Sequence, residues 1–104
     1  MEFLVEFEIT VPDGTPASEV RERERAEAVA AEKLVEEGHL LRVWTRDTPS
    51  GASTVLGLYR TDGRAELDRR LRGLPLYAWM KITVTPLGAH PNDPATVSAT
   101  ALRS

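Results

Sequence analysis

The chain has 104 residues, with 13 Lys and Arg against 16 Asp and Glu for a net charge of -3. That length holds one domain and one core, and the two signs of charge are interspersed without a basic block, which argues against a nucleic-acid surface. There are no cysteines, so disulfides, thiolate nucleophiles and iron-sulfur clusters are excluded. Apolar runs reach only a few residues, far short of the roughly 20 that span a bilayer, and the acidic start MEFLVEFEI is unlike a secretory signal. A cytoplasmic protein with no membrane partner is expected.

In Met1 to Val11, Phe3, Val5, Phe7, Ile9 and Val11 alternate with Glu2, Glu6, Glu8 and Thr10. This is the period of a half-buried strand. After the turn signal Pro12-Asp13-Gly14, Thr15 is expected to cap a helix with Pro16 at its first position, and the helix runs to Gly38. Leu40 to Arg46 reads as a second strand with Leu41 and Val43 on one side and Arg42, Trp44 and Arg46 on the other. Pro49-Ser50-Gly51 breaks that strand, and Ser53 to Arg60 returns as a third, forming a hairpin with it. Thr61-Asp62-Gly63 starts a short helix carrying Leu67, Leu71 and Leu74, stopped by Pro75. A fourth strand follows at Lys81 to Thr85, and then a polar tail.

The order β-α-β-β-α-β predicts a ferredoxin-like α+β fold, with a four-stranded antiparallel sheet carrying both helices on one face. Residues 1–94 form this domain and residues 95–104 the tail. Two helices leave the opposite face of the sheet bare, so a homo-oligomer is expected, from dimer upward.

On a wheel of about 100° per residue, Val20, Ala31, Leu34 and Val35 make one apolar stripe, and Glu27 falls inside it. A carboxylate buried there either finds a cationic partner such as Arg42, or shifts its pKa upward as a general acid-base group requires. Arg42 beside Trp44 can clamp a carboxylate over an apolar floor, or can belong to a subunit contact. His39, just after Gly38, either binds substrate or complements the helix C-terminus. Tyr77 and Trp79, in Leu74-Pro75-Leu76-Tyr77-Ala78-Trp79-Met80, mark a pocket wall or an interface. His90 in the tail either reaches a neighbouring subunit or is solvated. His39 and His90 lack metal-ligand spacing, and there is no Gly-rich phosphate loop, so neither a metal nor a cofactor is expected.

Glu27, Gly38, Leu40-Leu41-Arg42-Val43-Trp44, LPLYAWM at 74–80, Val84-Thr85-Pro86-Leu87 and His90-Pro91, in that order and spacing, resemble the muconolactone delta-isomerase family over roughly residues 1–94. The resemblance implies a ferredoxin-like subunit in a closed oligomer, decameric in known members. It also implies a metal-free isomerase that shifts a double bond in an unsaturated lactone acid during aromatic catabolism by the β-ketoadipate route. Glu27 matches the family's helix glutamate and would be the base. Arg42 would anchor the substrate carboxylate, Trp44, Tyr77 and Trp79 would wall the pocket, and His90 of a neighbour would close it. The chain departs from the family pattern between Thr45 and Val55, where a glycine followed by His-Tyr is replaced by Gly51-Ala52-Ser53. That change leaves two further readings open: an offshoot acting on a larger secondary metabolite, with these small residues enlarging the pocket, and a non-enzymatic oligomeric binding protein.

Overall fold

The computed structural model describes residues 1–47 and 53–95. In chain order the elements are β1 (Glu2–Ile9), α1 (Ala17–Glu36), β2 (Leu40–Asp47), β3 (Ser53–Arg60), α2 (Arg64–Arg72), a short 3-10 turn (Tyr77–Trp79) and β4 (Met80–Leu87). The strands form one antiparallel sheet in the order β2-β3-β1-β4. This is the expected α+β architecture.

The period-two pattern of β1 becomes the core. Phe3, Val5 and Phe7 are buried and join Leu34 of α1, Leu67 and Leu71 of α2, Leu40, Tyr59 and Leu74 in one cluster. Ile82 and Val84 of β4 pair with Phe7 and Val5 and pack on the same cluster. Both helices therefore cover one face of the sheet. Burying a side chain such as Leu67 contributes about 1.5–3 kcal/mol over leaving it exposed.

The start of α1 differs from expectation. Pro16 occupies the N-cap position without a side-chain cap, and the Thr15 hydroxyl instead donates to the Pro12 carbonyl at 2.7 Å. Its end is a Schellman-type closure: the His39 N–H reaches the Leu34 carbonyl at 2.9 Å and the Gly38 N–H reaches that of Val35 at 3.0 Å. Gly38 has φ of 79°, a left-handed conformation that a side chain resists. Val35, expected in the buried stripe, is exposed, whereas Leu34 is buried. The stripe that meets the sheet is centred on Glu27, Ala31 and Leu34, and Val35 lies at its margin.

A register shift between Leu40 and Arg42 puts a bulge at the start of β2. The extra residue changes the parity, so Leu40 rather than Leu41 faces the helices with Val43. Beyond the bulge Arg42 pairs with Leu58 and Trp44 with Leu56, and both point to the other face of the sheet. That face carries half-buried Leu4, Leu56 and Leu58, with ion pairs Glu2–Arg60 and Glu6–Arg46 across it. β2 runs one residue past its expected end at Arg46, and Thr45 to Asp47 pair with Val55 to Ser53. Pro49-Ser50-Gly51, Ala52 and the tail after Ala95 lie outside the described residues, as does the proposed enlargement by Gly51-Ala52-Ser53. No helix among the described residues is long and apolar enough to cross a membrane.

Candidate functional site

Where α1 crosses the sheet, a cavity of about 330 Å³ opens between them. The helix supplies Glu24, Glu27, Ala28 and Ala31 to one wall. Phe7 and Ile9 of β1, Val43 of β2, and Val55, Gly57 and Tyr59 of β3 form the floor, with Leu76 and Met80 closing one end. Alanines on the helix leave this space open, where larger residues would fill it. The size and apolar lining suit a small organic molecule.

Glu27 is half-buried in this wall, and its Oε1 accepts the Leu76 N–H at 3.0 Å. Among the described residues no cation pairs with it. Burial raises its pKa above the ordinary 4.5, and the Leu76 hydrogen bond only partly opposes the rise. The segment before β4 thus holds the carboxylate in position by its backbone.

Tyr59, 4% exposed, stands on the floor. Its ring lies over Gly57, where an added Cβ would fall 2.6 Å from Tyr59 Cε2. A glycine inside a strand here marks the close approach of a neighbouring side chain. Burial pushes the Tyr59 phenol upward and the charge of Glu27 adds to the effect, so it stays protonated. The sequence reading missed Tyr59, although Gly57 two residues before it on the same strand face was a usable signal.

The other expected site residues fall elsewhere in the chain. Arg42 lies on the opposite face of the sheet from Glu27, its guanidinium 5.1 Å from the ring centroid of Trp44, and Trp44 is 40% exposed. The Arg42–Glu27 ion pair, one of the two outcomes open for Glu27, is not formed within the chain, because the sheet stands between them. Trp79 stacks under the guanidinium of Arg23, 4.6 Å from its ring centroid, while Tyr77 is exposed. Neither lines the cavity; Leu76 and Met80 of the same segment do. His39 is bound into a separate cluster, with Nδ1 2.9 Å from the Arg60 carbonyl and Nε2 3.6 Å from Glu66. His90 accepts the Asn92 N–H on Nδ1 at 2.9 Å in the exposed segment after β4. Among the described residues no three His, Cys, Asp or Glu side chains cluster as metal ligands.

Fold and cavity together define a ferredoxin-like α+β domain in which, among the described residues, one half-buried carboxylate without a cationic partner lines an apolar pocket between helix and sheet. The family described as Muconolactone delta-isomerase matches residues 1–93. Muconolactone Delta-isomerase 1 of Acinetobacter lwoffii is 35% identical over 96 residues, covering 89% of this chain and 94% of that protein. The Muconolactone Delta-isomerase of Cupriavidus pinatubonensis is 30% identical, covering 89% and 98%. The chain belongs to the muconolactone delta-isomerase family. Among solved structures, a muconolactone isomerase is similar with a TM-score of 0.77 at 24% identity, over 90% of this chain and 95% of that one. The 5-chloro-2-hydroxyhydroquinone dehydrochlorinase of Burkholderia phenoliruptrix, in complex with 2,5-dihydroxybenzoquinone, has a TM-score of 0.65 at 12% identity, over 89% and 99%. These two likenesses are of fold.

Proposed function

We propose that this protein is a cofactor-independent isomerase that moves a double bond in an unsaturated lactone acid, converting muconolactone to its enol-lactone, with Glu27 as the proton carrier. The observation that carries the reading is Glu27 itself, half-buried without a cation beside an apolar cavity in a chain of this family. A carboxylate whose pKa burial has raised is a stronger base than one in water.

The chemistry needs little else. The C–H of the ring carbon γ to the lactone carbonyl is acidified by the conjugated carbonyl. Glu27 takes that proton, the electron pair left behind delocalises to the carbonyl oxygen as a dienolate, and the resulting carboxylic acid returns a proton to the α carbon. The double bond has then moved one position, no atom is gained or lost, and Glu27 ends as it began.

Arg42 does not serve as the carboxylate anchor of its own subunit's cavity, since it faces the other side of the sheet. The cavity is lined by no Lys, Arg or His among the described residues. An unpaired carboxylate in such a wall next to Glu27 is strongly disfavoured, so the lactone ring enters and the carboxymethyl arm remains at the mouth. The second sheet face, with Leu4, Leu56, Leu58 and Trp44, is covered in a homo-oligomer, where Arg42 and Trp44 become contact residues. The binding-only alternative requires Glu27 to be locked in an ion pair with no space beside it, and its surroundings weigh against that.

The test is a spectrophotometric assay of the purified protein with (+)-muconolactone, run alongside sedimentation velocity. Turnover by a species larger than one chain is expected. A folded assembly that leaves muconolactone unchanged contradicts the substrate assignment.

A further inference from the structure

The proton shuttle leaves one requirement unassigned. When Glu27 takes a proton it becomes neutral, and the negative charge moves to the substrate's carbonyl oxygen. In an apolar cavity lined by no cation, that oxygen needs a hydrogen-bond donor aimed at it in advance. Apart from the carboxyl groups of Glu24 and Glu27, the only side chain with an O–H or N–H among the described residues that line the cavity is Tyr59.

We propose that Tyr59 is the oxyanion donor of this site, its hydroxyl hydrogen-bonded to the carbonyl oxygen of an enolisable ring held between it and Glu27. Three features of the geometry carry the assignment, which rests on the isomerase reading. Tyr59 and Glu27 line one cavity from opposite sides, the tyrosine from the central strand and the glutamate from the helix above it. Gly57 makes room for the tyrosine ring, since any Cβ there would meet Cε2 at 2.6 Å. Among the described residues no hydrogen bond occupies the Tyr59 hydroxyl and no sealed-off side-chain polar atom lacks a partner, so the hydroxyl is accessible on a residue that lines the cavity. Its elevated pKa is consistent with this role: the phenol keeps its proton while Glu27 gains and loses one. Tyr59 therefore stabilises the dienolate without entering the proton inventory.

Tyr59→Phe keeps the ring over Gly57 and removes only the hydroxyl. With muconolactone as substrate, kcat is expected to fall by about 10²-fold with the assembly state unchanged. Binding of tetronate, a five-membered-ring lactone that is an enolate at neutral pH and enters together with a proton taken up by Glu27, as in the intermediate, is the second readout. By titration calorimetry its Kd is expected to rise about tenfold or more in the variant, the scale for a hydrogen bond to a charged group. A variant whose kcat stays within about threefold of wild type while Glu27→Gln is inactive overturns the role of Tyr59 and leaves the isomerase reading standing. If wild type does not turn over muconolactone, the substrate reading falls and tetronate decides: weaker binding by the variant supports the donor, whereas equal affinity, or no binding to either protein, overturns it.

Discussion

Glu27→Gln lowers kcat on muconolactone by about 10²–10⁴-fold, the range for removal of a general acid-base group. The substitution is nearly isosteric, and the amide oxygen can still accept the Leu76 N–H that Glu27 Oε1 accepts at 3.0 Å. Cavity shape and the position of the segment before β4 are thus retained while the proton-accepting function is lost. KM changes much less than kcat, because the apolar walls that hold the ring are untouched. Steady-state kinetics on wild type and variant of matched sedimentation coefficient check both statements. A loss confined to KM would mean that Glu27 orients substrate without carrying the proton.

The second large effect is on stability. Leu67 is 0% exposed at the centre of the cluster that joins α2 to β1. Leu67→Ala removes the packing of α2 on the sheet and leaves a cavity, at a cost of about 2–5 kcal/mol. For a domain whose total stability is about 5–15 kcal/mol, that is a substantial part. Urea unfolding of the two proteins measures it, with a lowered midpoint and an unchanged slope expected. Leu67 does not line the Glu27 cavity, so activity per folded subunit is expected to persist. A stability equal to wild type would mean that α2 is not anchored through this residue.

The elements were readable wherever one face is buried and the other wet. The alternation of Phe3, Val5 and Phe7 and the spacing of Leu67 and Leu71 survive directly as buried positions, whereas Ile9 and Val11, which continue the β1 pattern, are exposed. Glu27 was visible for the same reason, as the one carboxylate in an apolar helical stripe. What periodicity could not supply was the parity of β2, because a single bulge between Leu40 and Arg42 exchanges which leucine meets the helices. Within one chain, Arg42 stands apart from the Glu27 cavity for a simpler geometric reason. Val43 faces the cavity, so its neighbours Arg42 and Trp44 must face away. Tyr77 and Trp79 were chosen for their aromatic rings, but the segment contributes to the site through the Leu76 backbone and the side chains of Leu76 and Met80. Tyr59 went unnoticed because β3 has apolar residues on both faces, so its alternation is weak. Only the placement of Gly57 distinguishes the face on which the tyrosine ring lies.

The pH dependence of kcat/KM for muconolactone tests the central claim most directly. Glu27 must be ionised in the free enzyme to accept a proton, and burial holds its pKa above the ordinary 4.5. Activity should therefore rise with pH along an acid limb whose midpoint lies above 4.5, and level off once the carboxylate is fully formed. A rate that is flat through this range, or that falls as pH increases, would contradict Glu27 as the base.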